Sequence, residues 1–204
     1  MLRTTTVEPD TLELLIVLMQ KSYLQEFILV GGTSLSLQSG LRVSVDLDLF
    51  TEKPFDSEAL KLHLEDDFPD FQVLLESQNT LITNINSIKV DFIRFKYGFA
   101  YPTVFEDKIR LANEKDIASM KLDAITGRGK KKDFFDLYFL LLRHSLPVLL
   151  ALYQEKYKHS TIFHVIKSIT YFDEAELEPD PIIFGNKVNW SQVKKTLRQE
   201  VNKL

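Results

Sequence analysis

Apolar residues recur along this chain with two different periods, and the change of period divides it. Over residues 10–26 Leu12, Leu15, Ile16 and Met19 fall on one helical face behind Pro9 and Asp10, which predicts an amphipathic helix. Phe27 to Val30 is an unbroken apolar run, the pattern of a buried strand, ended by Gly31 and Gly32. Thr33 to Ser39 can then turn helical until Gly40 stops it. Val45 to Phe50 alternates strictly, with Val45, Leu47 and Leu49 on one side and Asp46, Asp48 and Phe50 on the other, a strand with acid on one face. Residues 56–67 suit a helix, and 71–76, 81–84 and 88–95 read as three strands of an antiparallel run, joined by turns bearing Asn and Ser.

From Asn113, a residue suited to an N-cap, the helical period takes over: 114–126, 132–144, 147–157, 160–171 and, behind Asn189, 190–203. Pro179, Pro181 and Gly185 mark a loop before the last helix, and no repeat, low-complexity stretch or long polar linker interrupts the chain. The predicted fold class is α+β: a mixed, largely antiparallel sheet with flanking helices over residues 1–112, followed by a helical C-terminal part, 113–204, packed on that core.

Composition narrows the partners. The 204 residues suffice for an apolar core without staples, and 25 basic against 29 acidic residues give a net charge of -4. Such a chain is not a general polyanion binder, so contact with nucleic acid has to be local. One such locality is Arg128 to Lys132, where four of five residues are cationic, although a solvated loop reads the same way. The absence of cysteine excludes disulfides, thiolate zinc sites and a cysteine nucleophile, and fits a cytoplasmic setting. No apolar run approaches the roughly 20 residues that span a bilayer, and the first ten residues lead into a helix carrying Glu13, unlike a signal peptide. A soluble protein with no membrane partner is expected.

The acids carry the chemistry. Asp46 and Asp48, two apart on a strand, project from one face, where two bare carboxylates repel and a hard divalent cation such as Mg²⁺ or Mn²⁺ relieves them. Alone, Asp-x-Asp also describes an exposed polar strand face. The preceding Gly31-Gly32 turn into a helix brings backbone N–H groups and the Thr33 and Ser34 hydroxyls toward one small volume that suits a phosphate. Asp91, in a strand between Val90 and Phe92, supplies a third acid whose alternation sets it opposite those apolar neighbours. The four histidines lack paired ligand spacing, and Trp190 and the Phe134, Phe135, Tyr138 and Phe139 cluster read as packing residues.

Taken together, the strand, Gly31-Gly32, Asp46-Leu-Asp48 and the later Asp91 resemble the polymerase-beta-like nucleotidyltransferase superfamily. Gly31-Gly-Thr-Ser-Leu35 with Leu41-Arg-Val-Ser-Val-Asp-Leu-Asp-Leu-Phe50 sharpens the likeness to its AbiEii/AbiGii toxin family, continued by Lys121-Leu-Asp-Ala-Ile125, Arg128 and Lys132-Asp-Phe-Phe-Asp-Leu137. Position 41 is Leu where many members carry His. The resemblance implies a nucleotidyltransferase-type sheet and a site in a cleft beside the helical part. It implies catalytic roles for Asp46, Asp48, Asp91, Lys121 and Asp136, with the first three as metal ligands for Mg²⁺ or Mn²⁺. It also implies nucleotide contacts from Gly31, Gly32, Thr33, Ser34, Arg42, Ser44, Lys121 and Arg128. Lys121 and Arg128, seven apart, share a helical face if the helix continues past Gly127. The expected activity is transfer of a nucleoside monophosphate from an NTP to an acceptor hydroxyl, with RNA or tRNA approached through Arg128, Lys130, Lys131 and Lys132, and with a cognate antitoxin as partner. A transferase acting on a small molecule and a non-catalytic NTP- or RNA-binding module are the alternatives.

Overall fold

The computed structural model describes residues 1–185 and 188–204, and Asn186 and Lys187 of the expected loop lie outside them. The chain forms two compact units, Met1–Gly40 with Ser44–Asn113, and Leu41–Val43 with Glu114–Leu204.

The first unit contains the helices α1 (Pro9–Gln20), α2 (Gly31–Ser39) and α3 (Ser57–Asp67). Its strands are β1 (Ile28–Leu29), β2 (Leu47–Thr51), β3 (Phe71–Ser77), β4 (Thr80–Ile85), β5 (Ile88–Arg94), β6 (Val104–Glu106) and β7 (Ile109–Leu111). They make one mixed sheet in the order β3-β4-β5-β2-β1-β7-β6, in which β2 runs parallel to β5 and β1 to β7 while the other pairs are antiparallel. Alternation sends Leu47, Leu49, Leu81, Ile85, Val90 and Phe92 into a core shared with Leu14, Leu15 and Leu18 of α1 and Leu60 and Leu64 of α3. The opposite positions Asp48, Phe50, Ile82, Asp91 and Ile93 are half-buried. Pro9 opens α1, and the Asp56 carboxylate caps α3 by accepting from the N–H groups of Glu58 and Ala59 at 2.9 and 3.2 Å.

The differences from expectation have local causes. α1 stops at Gln20 instead of running to 26, and a short 3-10 turn, Ser22–Leu24, follows. The Arg110 guanidinium donates to the carbonyls of Met19, Leu24 and Phe27 at 2.9–3.0 Å, which fixes that turn. Strand β2 begins at Leu47, so Val45 is exposed rather than on the buried side. The β6–β7 hairpin was not anticipated: its two-residue turn, Asp107 and Lys108, has φ of 51° and 66°, the double left-handed geometry usually signalled by Asn-Gly.

The second unit is helical: α4 (Glu114–Gly127), α5 (Lys131–Leu141), α6 (Leu146–Lys156), α7 (Ile162–Ile169), α8 (Asp173–Glu176) and α9 (Trp190–Val201). Helix α4 packs against α5, α6 and α7, and α9 packs on α5 and α7. Trp190 stacks with Phe135 and meets Phe134 and Phe172 edge-on, the packing role its helix-start position suggested. Asn189 caps α9 by accepting the Gln192 N–H at 2.9 Å. Leu41–Val43 belongs here because it pairs with a later strand-like segment: the Val43 N–H donates to the Ile182 carbonyl at 2.9 Å and the Phe184 N–H to the Leu41 carbonyl at 3.0 Å. Lys156 and Asp116 form a fully buried ion pair at 2.6 Å. Among the described residues no single helix is long and apolar enough to cross a membrane.

Candidate active site

In the first unit, β1 delivers the chain to Gly31, where it turns into α2 with φ of +69°. A Cβ at Gly31 would lie 2.2 Å from Asp48 Oδ2, so glycine is required twice, by the backbone angle and by the carboxylate lying against it. The parallel register of β2 and β5 then sets Asp48 directly beside Asp91. Asp91 is held by Lys89, whose Nζ lies 2.5 and 2.6 Å from its two oxygens. Asp46, one residue before β2, has its main-chain carbonyl bonded by the Thr33 hydroxyl, which also lies 2.9 Å from Ser44 Oγ.

Thr33 and Ser34 are buried, and Gln38 donates to both the hydroxyl and the carbonyl of Ser34, at 3.1 and 3.2 Å. Their hydroxyls therefore brace the turn from inside, and what the turn offers an anion is the set of first-turn N–H groups, which have no carbonyl one turn earlier to bond. Among the described residues no group of three Asp, Glu or His side chains is arranged to hold a metal ion. Asp48 and Asp91 nonetheless stand side by side, and because Lys89 pairs with Asp91 a cation binding there would compete with that amine. The donor set still fits Mg²⁺, which takes one or two carboxylates and fills its other positions with water and phosphate oxygens.

The second unit holds a buried ladder of charges. Arg42 Nε and Nη2 grip the two oxygens of Asp136 at 2.6 and 2.9 Å, and Nη1 bonds the Val43 carbonyl at 2.8 Å. Lys121 Nζ bridges Asp136 at 2.7 Å and Asp133 at 2.8 Å, and Arg128 Nε reaches the second oxygen of Asp133 at 3.2 Å. Lys121 leaves α4 nearly two turns before its end and the two aspartates stand three apart on α5, so the ladder follows from helix spacing. Arg42, Lys121, Asp133 and Asp136 are almost wholly buried, while the Arg128 side chain is 54% exposed. Burial alone lowers the Lys121 pKa, but the pull of Asp136 and Asp133 outweighs it and the amine is held above its ordinary value. Burial likewise raises Asp133 and Asp136, and the neighbouring cations overcome it, keeping both below the usual carboxylate range.

Helix α4 ends at Gly127, so Arg128 meets the ladder from the following turn rather than from the same helical face as Lys121. The sequence analysis gave Asp133 no role of its own, although its spacing of three to Asp136 was the available signal. It also misplaced Lys131, which is buried, donates to the Glu178 carbonyl and pairs with Asp180 at 3.1 Å. Lys131 ties down a loop and is not part of an accessible basic run, whereas Lys130 is exposed.

Comparison with known proteins agrees with this architecture. The Aquifex aeolicus protein aq_aa25 is 36% identical over 182 residues, covering 86% of both chains. Among solved structures, MenT4, a nucleotidyltransferase toxin from Mycobacterium tuberculosis, superposes with a TM-score of 0.59 at 16% identity, over 97% of this chain and 86% of that one. JHP933 from Helicobacter pylori gives a TM-score of 0.57 at 18% identity, over 97% and 92%. These likenesses show a shared fold. The profile described as "Nucleotidyl transferase AbiEii toxin, Type IV TA system" matches residues 13–112 and 88–203, and across that span the chain belongs to the AbiEii family of nucleotidyl transferase toxins.

Proposed function

We propose that the protein transfers a nucleoside monophosphate from an NTP to a hydroxyl of RNA, with a tRNA end as acceptor, in the cytoplasm and under restraint by a cognate antitoxin. The observation that carries this reading is the contact of Gly31 with Asp48, in register with Asp91. It sets a helix N-terminus, which attracts phosphate, against carboxylates that attract a divalent cation.

Asp48, with Asp46 and Asp91, would hold Mg²⁺ or Mn²⁺ against the triphosphate, the ion supplying positive charge as pyrophosphate departs. The N–H groups at Gly31 and Gly32 take phosphate oxygens. Asp91 draws the proton from the acceptor hydroxyl once Lys89 yields one of its oxygens; the hydroxyl oxygen bonds to the α-phosphorus, and the bond to the β-phosphate oxygen breaks in line. Arg42 and Lys121 have their charges committed to Asp136 and Asp133, so their part is to hold that pair ionised and in place. Arg128, held at Nε by Asp133, has the guanidinium fork suited to phosphate oxygens.

The test is incubation with each α-labelled NTP, Mg²⁺ and total RNA, followed by denaturing separation. Label in RNA supports the proposal. Label in a small molecule points to the small-molecule transferase, and NTP binding with no label anywhere points to a binding module.

A further inference from the structure

Helix α7 has a face that the core does not use. Val165 and Ile169 are buried inward, while Phe163 is 68% exposed and Lys167, one turn on, is exposed on the same side. Tyr171, 54% exposed, follows just beyond the helix, where its N–H donates to the Ser168 carbonyl at 3.1 Å. That turn brings Ser168 and Tyr171 to a cleft of about 110 Å³ lined also by Thr126, Gly127, Arg128 and Glu174. Nothing lies within 4 Å of where a Cβ on Gly127 would stand, so the backbone beside the Arg128 side chain is bare.

The cleft is small beside the roughly 300–1,000 Å³ of a site that encloses a small molecule. Exposed aromatics interleaved with cations are instead what a single-stranded polynucleotide needs, bases stacking on rings and phosphates lying against positive charge. In a chain of net charge -4, this places Arg128 and Lys167 where a polyanion finds local attraction. Glu174 opposes it from one rim, and its neighbour Asp173 on α8 is exposed as well.

We infer that the outward face of α7, Phe163, Lys167 and Tyr171, together with Arg128, is a docking surface for single-stranded RNA. The choice of RNA rests on the proposed function, but docking does not require transfer. The experiment measures fluorescence anisotropy of a labelled oligouridine of about a dozen nucleotides with the whole protein, without NTP or metal. Phe163→Ala and Tyr171→Ala each weaken binding about tenfold with the salt slope unchanged, since a stacked base and no charge is lost. Lys167→Met weakens binding and lowers the slope of log affinity against log salt by about 0.7. Glu174→Gln tightens binding, an effect that a merely damaged fold would not produce.

Asp48→Asn stops transfer under the proposed function and leaves this affinity unchanged. Loss of transfer alone therefore counts against the active site and not against the surface. The inference is overturned if the wild-type protein does not bind the oligonucleotide, if Tyr171→Ala and Lys167→Met bind like wild type, or if an RNA duplex competes as well as the single strand.

Discussion

Arg42 meets Asp136 across ninety-four residues of sequence with two arms of its guanidinium, at 2.6 and 2.9 Å, and both side chains are buried. The pair is one end of a run in which positive and negative charges alternate, Arg42, Asp136, Lys121, Asp133, Arg128, so each of its two carboxylates has a cation on both sides. Such an arrangement contributes little net stability against an apolar replacement, but breaking it from one side is costly.

Arg42→Ala should therefore destabilise the protein by about 3–5 kcal/mol, the usual cost of stranding one member of a buried pair. Arg42→Lys should cost less, since it keeps the charge and loses the fork. Urea unfolding of the two variants checks the order; equal midpoints for Arg42→Ala and wild type would show the ladder to be slack.

The ladder also sets a pH window. Asp133 and Asp136 are held below their unfolded value of about 3.9, so their contribution is complete above that pH and is lost as pH falls through the lower folded value. Lys121 is held above its unfolded value of about 10.4, so its contribution is complete below that pH and is lost as pH rises through the higher folded value. Stability from these three groups should stay flat between about pH 5 and 9 and fall on both sides. A thermal-unfolding series across pH, with Asp136→Asn as control, tests this.

Gly31→Ala forces a methyl to within 2.2 Å of the Asp48 carboxylate and demands a φ of +69° from alanine. The backbone alone should cost about 1–2 kcal/mol, and displacement of Asp48 should lower transfer more than the stability loss explains. A labelled-NTP assay run below the unfolding temperature separates the two effects.

Asp48→Asn keeps nearly the same volume and removes a negative charge from the acid face. Transfer should drop by about a hundredfold or more with little change in melting temperature. Full activity at ordinary Mg²⁺ would remove Asp48 from the chemistry.

Lys130 and Lys131 are neighbours in a basic run and should behave differently. Lys130→Ala, at an exposed position, should weaken RNA binding and its salt dependence slightly. Lys131→Ala strips the contacts of a buried amine to Glu178 and Asp180 and should destabilise the fold without changing the salt slope. Paired melting and anisotropy measurements decide.

The period-two alternation of residues 45–50 and 88–95 was enough to place Asp48 and Asp91 on strands, because side chains on a pleated backbone have only two directions. That the strands are adjacent and parallel is a matter of pairing, which alternation does not report. The same limit hid the link from Arg42 to Asp136, since a guanidinium in a short segment gives no local sign of what it will meet. Lys131 was misread for the opposite reason: a run of like charges suggests solvent, yet this one opens α5, where the helical turn carries it inward over the Trp190 ring at 5.4 Å. The β6–β7 hairpin escaped because Asp107 and Lys108 make a left-handed turn without glycine or asparagine.

Leu41–Val43 belongs to the helical unit although the residues on both sides of it belong to the other. The helical unit is therefore not a contiguous stretch of its gene. A fragment begun at Glu114 would retain Asp133 and Asp136 but leave Arg42 behind, so Lys121 would be the buried cation balancing two interior carboxylates. Gene dissection at the boundary suggested by the helical period would strand Asp136 without its guanidinium partner, so inactivity of such a fragment would say nothing about where catalysis resides. A faithful dissection would carry Leu41–Val43 with the C-terminal half, either as an added peptide or grafted through a new connection to α4.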